Sequence, residues 1–176
     1  MTRARTVVLN GDLGSGKTTV SVMLAERLGV RRVSIGDLYR RMAAEHGMTA
    51  LQFNLHSRPV GSWPTAATAN ASGSCPRYGV DKTRLHNYDL VCDTTRAAPE
   101  DVVARIVEVL EAPSGSTSAL ACYLDPSRVH RTATTGEGGE IVVRHQASDF
   151  VAVQGNQRLG AAIRRGETLT PMVLAG

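Results

Sequence analysis

A chain of 176 residues, 42% of them hydrophobic, has the length for one domain or one domain with a small appendage, and enough apolar material for a packed core. Aromatic residues are only 4%, so that core has to be built from Val, Leu, Ile and Ala. The net charge of +4 comes from scattered arginines, which permits a nucleic-acid partner without arguing for one, and no apolar run reaches the length of a signal peptide or a membrane span.

The first predicted element is a short strand, Thr6-Val7-Val8-Leu9-Asn10. It feeds Gly11-Asp12-Leu13-Gly14-Ser15-Gly16-Lys17-Thr18 and then a helix running to Leu28. The eight residues fit G-x-x-x-x-G-K-[ST], and strand before with helix behind is the context that pattern needs. The glycines let the backbone turn a row of N–H groups toward a phosphate chain, and the helix start adds the positive end of its dipole. Lys17 is expected to reach the β- and γ-phosphates, with the Thr18 hydroxyl on Mg²⁺ and Thr19 completing the binding set. ATP and Mg²⁺ are therefore the expected cofactors. A glycine-rich turn without a ligand is the bland alternative. Lysine occurs elsewhere only at Lys82, which sets Lys17 apart.

The helix after the loop carries Val20, Met23, Leu24 and Leu28 on one stripe, and Gly29 closes it. Arg32-Val33-Ser34-Ile35 reads as a second strand. Asp37 is expected as the N-cap of a second helix over residues 38–46, ended by Gly47. Thr49 and Gln52 make a capping box for a short third helix bearing Leu51, Phe53 and Leu55. Residues 57–76 follow as an irregular loop rich in Ser, Pro, Thr, Gly and Ala, with no helix or strand period and containing Trp63.

Order is expected again at Tyr88-Asp89-Leu90-Val91-Cys92-Asp93, a buried strand. Pro99-Glu100-Asp101 then opens a helix with Val102, Val103, Ile106, Val109 and Leu110 on one face, stopped by Pro113. Residues 113–119 read as a linker. The tail offers a strand from Ala121, a Gly-rich stretch at 132–139, strands at 141–144 and 150–153, and a Gln154-Gly155-Asn156 turn. A helix bearing Leu159, Ala162 and Ile163 follows, ended by Gly166, and a last strand spans 170–174. The expected fold class is α/β, a truncated P-loop NTPase-type parallel sheet flanked by helices, with a small α+β C-terminal appendage. The domains would be 1–112 and 120–176.

Cys75, Cys92 and Cys122 have no zinc-ligand spacing, and a buried thiol at Cys92 suits a reducing cytoplasm. His46, His56, His86, His130 and His145 have no spacing that suggests a metal site.

Residues 6–54 and 77–110 resemble archaeal-type cytidylate kinases, which are P-loop nucleoside monophosphate kinases. The resemblance is carried by residues 11–18, by Ser34-Ile35-Gly36-Asp37-Leu38-Tyr39-Arg40, by Gly47-Met48-Thr49 with Phe53-Asn54, and by Arg77-Tyr78-Gly79 through Thr95. It implies transfer of the ATP γ-phosphoryl group to a nucleoside monophosphate such as CMP, with Lys17 and Arg40 catalytic and Ser34 and Arg40 at the acceptor phosphate. An arginine fork suits a phosphate, though Arg40 also suits a solvated helix face shared with Arg41. Asp93 could be taken for a Walker B carboxylate; the resemblance places it in the last strand, in a structural role. Between Asn54 and Arg77 the family carries two further strands and an arginine-bearing lid, where this chain has its irregular stretch. Phosphate binding is thus better supported than turnover, and a nucleotide-binding module without kinase activity is the alternative. The tail, from Tyr123, resembles part of the ParB–sulfiredoxin superfamily, which implies a phosphate contact for Arg158 in its Gly155-Asn156-Gln157-Arg158 element, though Arg158 also suits a surface position beside a turn.

Overall fold

The computed structural model describes residues 6–12, 14–56, 74–75, 80–81, 84–112, 120–132, 139–146 and 149–175. Leu13, Trp63, Arg77-Tyr78-Gly79 and the linker at 113–119 lie outside the described residues. The helices are α1 (Lys17–Leu28), α2 (Ile35–Glu45), α3 (Ala50–His56), α4 (Pro99–Glu111) and α5 (Asn156–Arg165). The strands are β1 (Ser74–Cys75), β2 (Val80–Asp81), β3 (Leu90–Cys92), β4 (Ala121–Leu124), β5 (Val129–His130), β6 (Val142–Gln146), β7 (Asp149–Gln154) and β8 (Thr170–Leu174). Two compact units result: residues 29–85, and residues 1–28 together with 86–176.

The larger unit holds a six-stranded sheet in the order β3-β4-β8-β6-β7-β5. It is mixed: β3–β4, β8–β6 and β7–β5 are parallel, while β4–β8 and β6–β7 are antiparallel. Leu90 pairs with Ala121 and Cys92 with Tyr123, so the strand before residue 112 and the first strand of the tail share one ladder. The compact units therefore do not part at 113–119.

Alternation along the strands sorts side chains to two faces. Leu90 and Cys92 pack with Val20 and Leu24 of α1 and with Val102, Val103, Ile106 and Val107 of α4. Val91 points the other way, into a cluster of Cys122, Leu124, Val143, Ala152 and Met172 covered by Leu159 of α5. Burying each large aliphatic side chain here stabilises the fold by about 1.5–3 kcal/mol. The free thiols of Cys92 and Cys122 sit in these clusters, and burial pushes them up to about 11 and about 12. They are thiols, not thiolates, at neutral pH.

Helix ends follow local chemistry. Gly155 precedes α5 at φ +81°, where an added Cβ would lie 2.5 Å from the Glu140 carbonyl oxygen, so a side chain is excluded there. Gly166, at φ +70°, closes the helix, with the Glu167 amide returning to the Ala162 carbonyl at 3.2 Å.

Two expected strands are corrected. Residues 6–10 alternate as a strand should, with Val7 and Leu9 against the α1–α4 cluster and Val8 83% exposed, but they join no ladder among the described residues. A strand is held by its neighbours' hydrogen bonds, and a local pattern cannot supply them. Residues 32–35 form no strand either. Ser34 caps α2 by accepting from the Asp37 amide at 3.2 Å, so the helix begins at Ile35 and Asp37 is not its cap. That local side-chain bond outweighs the β-preference of Val33 and Ile35. The capping box is present as expected: the Gln52 amide donates to Thr49 Oγ1 at 3.2 Å and the Thr49 amide to Gln52 Oε1 at 2.9 Å. Among the described residues no helix is long and apolar enough to cross a membrane.

Candidate functional site: the glycine loop ahead of α1

Gly14 and Gly16 adopt φ +84° and +77°, conformations that glycine supplies without strain. They turn the chain into α1, whose first hydrogen bond joins the Val20 amide to the Gly16 carbonyl at 3.0 Å. The Ser15 amide donates to the Asp12 carbonyl at 3.2 Å, which tightens the loop from within. Nothing lies within 4 Å of a Cβ added at Gly14 or Gly16, so that face of the loop is open. At Gly11 the reverse holds: a Cβ would stand 2.8 Å from Ser15 Oγ. Lys17 folds back over the loop and donates to the Asp12 carbonyl and, at 3.3 Å, to Ser15 Oγ. Thr18 and Thr19 are exposed in the first turn of α1. Two bare glycines with open space beside them, the N-terminus of a 12-residue helix and one ammonium are the makings of a polyphosphate seat.

The loop and the residues leading into it are also held from both sides of β3. Thr94 Oγ1 donates to the Ser15 carbonyl at 3.1 Å, and Asn10 Nδ2 donates to the Tyr88 hydroxyl at 2.7 Å. A cavity of about 450 Å³ is lined by Gly11, Ser15, Lys17 and Thr94 together with apolar side chains such as Leu9 and Leu90. Asp93 is bound to Arg128 at 3.0 Å and accepts from the Thr95 amide at 3.0 Å, a structural arrangement. None of Thr94, Arg96, Asp125 or Arg128 was distinguished by spacing in the sequence.

Ser34 and Arg40 belong to the smaller unit, residues 29–85, and come together there. A Cβ on Gly36 would lie 3.6 Å from an Arg40 Nη and 3.7 Å from Ser34 Oγ, so both side chains border the same bare glycine in the first turn of α2. Arg40 is 65% exposed and donates to Asp37, which also receives Arg32 at 2.6 Å. The Arg40 hydrogen bond, then that of Arg32, holds the Asp37 carboxyl below the ordinary carboxylate range. Its contribution to stability is therefore present above the unfolded value, about 3.9, and is lost as pH falls through the lower folded value. Asp37→Asn should flatten the loss of helical circular dichroism as pH falls below about 4; an unchanged acid limb would show the pairing to be without effect. Arg158, in the larger unit, is exposed on α5.

A family model described as an AAA domain matches residues 7–157, well over half of the chain. The chain belongs to the AAA domain family. The fold of this AAA domain chain is accordingly α/β of the P-loop NTPase type, a six-stranded sheet flanked by helices. The matched region runs past residue 120 into the tail, whose ParB–sulfiredoxin resemblance gains no support from these matches. Among curated relatives, the chain is 41% identical over 51 residues to the cytidylate kinase of Archaeoglobus fulgidus, covering 29% of this chain and 28% of that protein. It is 50% identical over 48 residues to the cytidylate kinase of Halorubrum lacusprofundi, 27% of this chain and 25% of the relative. For the cytidylate kinase of Ignicoccus hospitalis the figures are 48% over 48 residues, 27% and 28%. The chain thus spans about a quarter of the length of these relatives. No solved structure matches it.

Proposed function

We propose that this AAA domain chain binds ATP with Mg²⁺ at residues 11–18 and passes the γ-phosphoryl group to a nucleoside monophosphate, CMP being the first choice. The observation that carries the reading is the loop itself: Gly14 and Gly16 at positive φ with open space beside them, and Lys17 at the start of α1. The similarity to cytidylate kinases over about 50 residues supports the acceptor class.

Phosphoryl transfer asks a protein mainly for positioning and charge neutralisation. Loop amides and the α1 N-terminus would hold the β- and γ-phosphate oxygens, and Lys17 would exchange the Asp12 carbonyl for them. The exposed Thr18 hydroxyl suits a Mg²⁺ ligand, and the ion when bound would neutralise phosphate charge. Arg40, beside Ser34 and the bare Gly36, would fork onto the acceptor phosphate, with Asp37 holding the guanidinium until then.

Purified protein incubated with Mg-ATP and each nucleoside monophosphate in turn should form ADP in an acceptor-dependent manner, fastest with CMP. Arg40→Ala should lower that rate by about tenfold to a hundredfold through the acceptor KM. Saturable ATP uptake with no acceptor-dependent ADP would replace the kinase reading by that of a nucleotide-binding module.

A further inference from the structure

The turn that follows β3 is fastened on two sides. On one, Thr94 Oγ1 donates to the carbonyl of Ser15, the residue between the two positive-φ glycines. On the other, the tail holds its neighbours. Arg128 donates to both Asp93 carboxylate oxygens at 3.0 Å and to the Thr95 hydroxyl. Arg96 donates to the Ser127 hydroxyl at 3.0 Å and reaches the buried Asp125 carboxylate at 3.4 Å. Residues 125–128 thus hold Asp93, Thr95 and Arg96 by hydrogen bonds, and Thr94, between them in the chain, holds the backbone of the glycine loop.

Glycines give the loop its shape and also its freedom, since Gly14 and Gly16 can leave these conformations at little cost. An outside donor on the carbonyl between them removes much of that freedom. A loop already in its bound shape spends less binding free energy on ordering itself.

We propose that Thr94 is a positioning residue for the phosphate-binding loop, and that the tail turn at residues 125–128 acts through it to preset the loop for a polyphosphate. The proposal rests on the ATP-site reading of the loop, and its test separates the two. Amide hydrogen exchange at residues 14–16 is measured on the ligand-free protein, and Mg-ATP binding is measured by calorimetry. Thr94→Ala should speed exchange in the loop and raise the Kd for Mg-ATP about fivefold to tenfold, with the melting temperature nearly unchanged. Thr94→Ser keeps the donor and should restore both to within about twofold. Arg128→Met should act in the same direction more weakly, and should add nothing in the Thr94→Ala background. Wild-type exchange in Thr94→Ala, failure of Thr94→Ser to rescue, or an additive effect of Arg128→Met overturns the proposal. A protein that takes up no Mg-ATP sinks the ATP reading instead, and the exchange rates alone then decide the role of Thr94.

Discussion

Lys17→Ala is expected to weaken Mg-ATP binding about a hundredfold and to abolish acceptor-dependent ADP formation, while leaving the fold intact. The ammonium's hydrogen bonds, to the Asp12 carbonyl and Ser15 Oγ, are local and lie at the surface of the loop. Losing them costs little stability, since near the surface water replaces the lost partners. A phosphate loses far more. A charge-assisted bond to a polyphosphate contributes about 1.5–3 kcal/mol, and about 2.7 kcal/mol is a hundredfold in Kd. The rate should fall further than the affinity, because the charge that spreads over the γ-phosphoryl oxygens in transfer is what the ammonium neutralises. Lys17→Arg keeps the charge but replaces a compact ammonium by a rigid fork, so intermediate binding is expected. Calorimetry of the three proteins, with circular dichroism as the control for folding, reads the effect. Equal ATP affinity in Lys17→Ala would mean that the loop is a turn and nothing more.

The features that could be read in the sequence are those decided within a few residues. The capping box at Thr49 and Gln52, the proline-led start of α4, the tail strands near 141–144 and 150–153, and the glycine closing α5 all form as their local patterns imply. The loop was legible for the same reason, its chemistry lying in eight consecutive positions. What failed was decided elsewhere. Residues 6–10 have a strand's alternation, but pairing depends on a neighbouring strand, which no alternation encodes. At residues 32–35 a serine cap competed with β-branched neighbours and won. The tie from Thr94 to Ser15 spans 79 residues and that from Arg96 to Asp125 spans 29, distances over which no periodicity carries information. Asp125-Pro126-Ser127 does carry a local signal, a capping carboxylate before a proline, and it marks a turn without naming what the turn holds.

That carboxylate is the site of the largest stability effect to be expected near the loop. Asp125→Ala should cost about 2–3 kcal/mol in chemical denaturation. Asp125 is fully buried, so its charge has given up its hydration and the surroundings must replace it. Two kinds of partner do so. The Ser127 amide and hydroxyl donate at 2.9 and 2.7 Å, short bonds made within one turn. Arg96 stands at 3.4 Å with its side chain 49% exposed, a long contact in a screened position. Distance and screening both favour the cap, so Arg96→Ala should cost less than about 1 kcal/mol, and Asp125→Asn, which keeps one acceptor oxygen, about 1 kcal/mol. Equal losses for Asp125→Ala and Arg96→Ala would reverse the ranking and make the ion pair the dominant partner. The order of these three losses also bears on the loop. If the cap dominates, the tail turn keeps its shape without Arg96, and the grip on Asp93 and Thr95 passes through Arg128.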